Sequence, residues 1–171
     1  MKFAKKTYKA AAKMAGYYRS NPHRFAKDFL HLDLYLFQKI LLVMMNYSTD
    51  FCYIAARGQG KSWLLAVFCC IRCILYPGTK ICIASGTRSQ SINILEKIRS
   101  ELIPKSKLLE NEIESLTITA SKAEVLFHGG SYIKVVTASD NARGNRANIL
   151  LLDKKICLAI RRLIVVIGQN R

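Results

Sequence analysis

The spacing of apolar positions changes several times along the chain, and each change marks a predicted element. The opening run KFAKKTYKAAAKMAG combines helix formers with lysines in i,i+4 relation, so residues 1–16 read as a basic surface helix or a frayed arm. Asn21-Pro22 interrupts that pattern. From His23 to about Asn46 one or two helices follow, with Leu32, Tyr35, Leu36, Lys39, Ile40 and Val43 as their stripe. Phe51 to Ala56 is a short β-rich apolar run that stops at Arg57-Gly58-Gln59-Gly60, which predicts a buried strand feeding a glycine loop. Ser62 to Tyr76 is apolar over a helical length and ends at Pro77-Gly78.

Beyond that helix, Ile81 to Ala84 predicts a second buried strand, and Thr87 to about Leu102 a second helix that stops before Pro104. Between Ile113 and Thr137 the residues alternate through Leu116-Thr117-Ile118-Thr119 and Val125-Leu126-Phe127, and Gly129-Gly130 turns into Tyr132 to Val136. An antiparallel hairpin accounts for this. Ala138 to Ala147 is a polar loop, and Asn148-Ile149-Leu150-Leu151-Leu152-Asp153 is a third buried strand ending in an acid. The order predicts an α/β fold: a mainly parallel sheet with flanking helices and an inserted antiparallel hairpin. The chain has no internal repeat.

With 171 residues, 51% apolar and 22% charged, the chain is long enough to bury one domain's core and carries no disordered or collagenous composition. Charge changes the picture more. The formal net charge is +16, of which +7 falls on residues 1–30, +4 on 31–153 and +5 on 154–171, so the two ends carry the excess and a polyanionic partner is expected. Six cysteines without a secretory segment point to a reducing compartment and free thiols. The longest apolar stretch, Trp63 to Ile71, stops at Arg72, too short for a bilayer span, so no membrane association is expected.

The sharpest chemical signal is Ala55-Ala56-Arg57-Gly58-Gln59-Gly60-Lys61-Ser62, between a predicted strand and a predicted helix. A phosphate loop wants glycine, four residues, then Gly-Lys-Ser/Thr; here Ala55 stands at the first glycine and Gly60-Lys61-Ser62 is intact. Gly58 and Gly60 let backbone amides turn toward phosphate oxygens at the helix N-terminus, Lys61 would neutralise the β/γ-phosphates of ATP, and the Ser62 hydroxyl would ligate Mg²⁺. A glycine turn with a surface lysine is the plainer reading of the same letters. Asp153, ending an apolar strand, is placed to share the Mg²⁺ with Ser62, on a strand adjacent to the phosphate loop. Next to it is Lys154, which cannot accept a proton at neutral pH without a large pKa depression.

These residues resemble the ATPase domain of large terminase subunits, the DNA-packaging motors of tailed bacteriophages, over about residues 30–153. The resemblance rests on Ala56 to Ser62 with its internal arginine, on Ile83-Ala84-Ser85-Gly86-Thr87-Arg88-Ser89-Gln90, and on Ala142-Arg143-Gly144-Asn145-Arg146-Ala147-Asn148 leading into Leu150-Leu151-Leu152-Asp153. It implies a P-loop NTPase core that couples ATP hydrolysis to translocation of double-stranded DNA, acting with a portal protein, a small terminase subunit and other copies of itself in a ring, in the cytoplasm of a bacterial host. It implies that Arg57 and Gln59 line the phosphates, Arg57 with a charge-stabilising or coupling role, and that Arg143 is offered as an arginine finger to a neighbouring subunit. Gln38 matches the glutamine that reads the adenine edge; equally, it reads as a polar residue on an amphipathic helix. Arg146 contacts DNA or solvates its loop.

In two respects the chain departs from the family. Lys154 stands where the family has its catalytic Glu, and the coupling motif and metal-dependent nuclease domain that normally follow are not present before Arg171. The expected organisation is therefore a basic arm at 1–30, an incomplete P-loop ATPase domain at 31–153 and a basic apolar tail at 154–171 foreign to the family, the product of truncation or frameshift. A non-catalytic nucleotide- and DNA-binding module and another helicase-like P-loop ATPase are the alternatives. Cys69, Cys70 and Cys73 fall within one helical turn without a fourth ligand at a metal spacing, and read as buried small side chains. His23, His31 and His128 are scattered.

Overall fold

The computed structural model describes residues 2–56, 58–85, 88–119, 121–137, 147–153 and 166–169. In chain order they form α1 (Lys2–Ser20), α2 (Pro22–Asp28), α3 (Leu36–Tyr47), β1 (Asp50–Cys52), α4 (Lys61–Leu75), β2 (Lys80–Ser85) and α5 (Arg88–Lys97). A wide turn (Ile98–Leu102) and a tight one (Ile103–Lys105) precede α6 (Lys107–Glu112), β3 (Ile113–Ile118), β4 (Ala123–Phe127), β5 (Tyr132–Thr137), β6 (Ile149–Asp153) and β7 (Val166–Gln169).

The fold is mixed α/β, with one seven-stranded sheet in the order β1-β7-β6-β2-β5-β4-β3. The expectation of a mainly parallel sheet is corrected: only β2 with β5 and β2 with β6 run parallel, whereas the other four pairings are antiparallel. Connection length explains the difference. β3, β4 and β5 follow one another through short turns, which permit only antiparallel neighbours, while β2 is separated from β5 and β6 by enough chain for a crossover. The predicted hairpin is thus a three-stranded meander whose last member is itself a central strand.

A row of registered residues, Phe51–Ile167–Leu151–Ile83–Val135, crosses five strands. Phe51, Leu151, Ile83 and Val135 in that row are all buried, which marks the face that receives the helices. On it lies α4, where Leu64 to Ile71, Cys73 and Leu75 are all buried. A helix apolar on every side has to be enclosed, and α1, α2, α3 and α5 all pack against this one. Cys69, Cys70 and Cys73 are part of that core, and burial pushes all three thiols up from their ordinary range. The other sheet face is less covered: Leu150 is 40% exposed.

Several boundaries moved. α1 continues to Ser20 and Pro22 starts α2, where its missing N–H costs nothing. Leu32 and Tyr35 lie outside any helix, since the chain turns at His31 with φ of 54°. The predicted strand 51–56 is only Asp50–Cys52. No described helix is long and apolar enough to cross a membrane.

Candidate nucleotide site

Strand direction assembles the site. β1 and β6 are both antiparallel to β7 and so run the same way, and β6, β2 and β5 are mutually parallel. The C-terminal ends of four strands therefore share one edge of the sheet: Cys52, Asp153, Ser85 and Thr137. Asp153 and Thr137 are both in register with Ser85. In open α/β sheets this edge is where ligands bind, because the connections leaving it form a crevice.

The loop after β1 carries the strongest local geometry at that edge. Gly58 has φ of 87° and Gly60 has φ of 67° with ψ of 22°, left-handed conformations that side chains adopt at a cost. α4 starts at Lys61, immediately after Gly60. No side chain caps it and no acid sits in its first turn, so the helix's own first turn leaves the positive end of its dipole unneutralised. The Lys61 ammonium folds back on its own loop, donating to the Ala55 carbonyl at 2.9 Å and to the Ala56 carbonyl. Ser62 is half-buried in the first turn of α4 and Gln59 is exposed in the loop.

Gln38 connects this loop to α3. It is buried at 8% exposure, its Oε1 accepts the Tyr35 N–H at 3.0 Å, and its Nε2 lies 3.7 Å from where a Cβ on Gly60 would be. The carbonyl end thus closes the first turn of α3, and the amide end adjoins the glycine loop. Beside it, the rings of Tyr35 and Phe37 stack with centroids 6.1 Å apart, and both are exposed. The sequence pattern assigned Tyr35 to a helical stripe and gave Phe37 no role of its own.

Asp153 closes β6 at the same edge, but its strand is not adjacent to β1. β7 lies between them, pairing Asp50 with Gly168 on one side and Ile149 with Gln169 on the other. The acid thus stands two strand spacings, roughly 10 Å, from the strand that feeds the glycine loop. Arg57, Arg143, Arg146, Asp140 and Lys154 lie outside the described residues. Glu124 is no substitute base: it is five strand steps from β1, roughly 24 Å, and its carboxylate pairs with the Lys122 ammonium.

At the start of α5, Arg88 donates from Nη2 to the Thr119 carbonyl at 3.2 Å, while its Nε and Gln90 Oε1 are buried with no hydrogen-bond partner. Both follow directly from the end of β2, and a Ser91–Ser85 hydroxyl bond of 2.5 Å fixes α5 to that strand. Neither residue had a distinct role in the sequence, since an arginine and a glutamine in a polar turn look solvated. Among the described residues no group of three or more His, Cys, Asp or Glu side chains comes together to hold a metal. Mg²⁺ at a phosphate loop needs no such cage, because one or two protein oxygens, nucleotide phosphates and water complete its shell. Compared with known proteins, the chain matches no family model and no curated protein.

Proposed function

We propose that the chain is a P-loop NTPase domain of the large-terminase type, binding Mg²⁺-ATP at the Gly58–Ser62 loop as part of a motor that moves double-stranded viral DNA. The observation that carries the reading is the convergence on one sheet edge of a glycine loop with two left-handed glycines, an uncapped helix beginning Lys61-Ser62, and the C-terminal Asp153 of β6. Anion binding follows from the helix end and loop amides, and the Lys61 ammonium leaves the Ala55 and Ala56 carbonyls for the β/γ-phosphates. Ser62 and Asp153 would hold the Mg²⁺, which when bound neutralises charge on the β- and γ-phosphate oxygens. Gln38, one amide away from Gly60, reads the adenine edge; Arg57 and Arg143 keep the charge-stabilising roles that the resemblance implies. The basic termini suit double-stranded DNA, and ring assembly with a portal and a small subunit completes the motor.

Turnover is a separate matter from binding. A positioned general base contributes about 10²–10⁴-fold to rate, and Lys154 follows Asp153 where the family has Glu. That residue favours a second reading, a nucleotide- and DNA-binding module that hydrolyses ATP negligibly. Phosphate release by the purified chain, with and without DNA and with Lys61→Ala as blank, decides between them. Release that is absent in the blank supports a working ATPase, and binding without release supports the non-catalytic module.

A further inference from the structure

At the edge of the sheet opposite the glycine loop, the last turns of α1, α3 and α4 are tied together by two arginines. Arg19 Nε donates to the Leu75 carbonyl at 2.8 Å, Asn46 Nδ2 donates to the Arg19 carbonyl at 2.8 Å, and Arg72 Nη1 donates to Asn46 Oδ1 at 3.1 Å. Both guanidiniums lie over one ring, with Arg72 Cζ 4.1 Å and Arg19 Cζ 4.9 Å from the Tyr76 centroid. Beside that ring opens a cleft of about 250 Å³, bounded by Arg72 and Tyr76, by Gly78 and Thr79 of the turn after α4, and by Asn148 and Ile149 where β6 begins.

The cleft is cationic and lacks the group that would balance it. None of its lining residues is acidic, and among the described residues neither arginine meets a carboxylate. Arg72 Nε is buried with no hydrogen-bond partner. A buried charged donor left without an acceptor is costly, and two cations on one ring repel each other. An oxyanion in the cleft would relieve the repulsion between the two cations. The Arg72 position also carries a sequence signal, as the one charge inside the otherwise apolar helix Lys61–Leu75 beyond its first residue.

We propose that this cleft is an anion site that takes a phosphate group, with the Arg72 guanidinium in its wall supplying the charge and Arg19, stacked on the same Tyr76 ring, adding to it. A planar guanidinium fork suits phosphate oxygens, and the cleft is large enough for one phosphate with its water. The same chemistry is presented by inorganic phosphate and by a nucleic-acid backbone. α1, whose sequence carries lysines at 2, 5, 6, 9 and 13, leads directly to Arg19. The site is independent of the glycine loop and stands whether or not that loop binds ATP.

Nitrogen-15 NMR of the full chain tests it through the Arg72 Nε–Hε signal, assigned by its loss in Arg72→Lys. Titration with inorganic phosphate is expected to shift that signal saturably, and equally in a Lys61→Ala background, which removes the contribution of the glycine loop. Asn148→Asp keeps a side-chain acceptor for the Lys80 N–H, now at 2.9 Å, while adding a negative charge to the cleft, and is expected to weaken phosphate binding about tenfold or more. A parallel titration with a short DNA duplex identifies the source: a shift that phosphate competes away assigns a backbone phosphate, and its absence assigns the free ion. No saturable shift in the folded parent, or unchanged affinity in a folded Asn148→Asp variant, overturns the proposal.

Discussion

Gln38 has its amide oxygen on the start of α3 and its amide nitrogen beside the glycine loop, and substitution tests the role proposed for each. Its Oε1 accepts the Tyr35 N–H at 3.0 Å, so Gln38→Ala leaves the start of α3 uncapped and should cost about 1 kcal/mol. For a chain of 171 residues that lowers the melting temperature by roughly 2–4 °C. Gln38→Glu keeps the acceptor and should melt close to the parent. Its lost function is the Nε2 donor beside Gly60. The oxygen has a second lone pair, so a bound adenine can still be read by acceptor and donor together, and a bidentate base contact is worth about 1–3 kcal/mol. Gln38→Ala removes the acceptor for the adenine amino group and should reduce the preference for an ATP analogue over a GTP analogue by roughly tenfold to a hundredfold, measured by competition at fixed Mg²⁺, whereas Gln38→Glu keeps that acceptor, loses only the donor to N7, which both purines share, and should keep the preference. The ratio is the readout because a new carboxylate near the phosphates repels both nucleotides alike. An unchanged ratio in a folded Gln38→Ala protein would refute the reasoning and leave Gln38 as a helix cap.

Ser131, buried at 1% exposure, accepts the Thr79 N–H at 3.1 Å and donates to the Cys73 carbonyl at 2.9 Å, so Ser131→Ala should cost about 2 kcal/mol and lower the melting temperature by roughly 4–8 °C; a loss within error in a urea titration would show that the turn after α4 is held by other contacts. His23 has its pKa lowered from 6.5, first by burial and then by Arg24 and Lys39. The unfolded chain then binds the proton more readily, so this contribution to stability is complete above pH 6.5 and declines as the pH falls from there through the folded value, a slope that His23→Gln should flatten in pH-dependent denaturation. Cys52 is exposed whereas Cys69, Cys70, Cys73 and Cys82 are buried, so Cys52→Ser should remove one fast-reacting thiol from a labelling time course, and an undiminished fast phase would contradict the placement of β1 at the sheet edge.

Local chemistry was the most legible part of the fold. The apolar length of α4 and its Pro77-Gly78 stop, the β2 run, and the alternation that gives β3, β4 and β5 all follow from periodicity and turn residues. Pairing was less legible, because which strand lies beside which is set by tertiary contacts. The placement of β7 between β1 and β6 could not be read from Val166–Gln169, a tetrapeptide too short to specify a sheet position. α6 was missed for a different reason: Lys107–Glu112 is short and its start rests on Ser106, whose hydroxyl accepts the Leu109 N–H at 3.2 Å. At the site, the glycine loop was visible because its backbone conformation demands particular residue types. The approach of Gln38 to Gly60 and the two arginines on Tyr76 were not, since each depends on residues far apart in sequence.

Nucleotide binding at the glycine loop is the central claim, and calorimetric titration of the parent chain with a non-hydrolysable ATP analogue and Mg²⁺ addresses it directly. In the free protein Lys61 is held by the Ala55 and Ala56 carbonyls, so Lys61→Ala should change the melting temperature by only a few degrees while removing the charge that meets the phosphates. The account predicts saturable binding at one site in the parent and its loss in a folded Lys61→Ala variant. Equal affinity in the two proteins, or no binding by the folded parent, would contradict it.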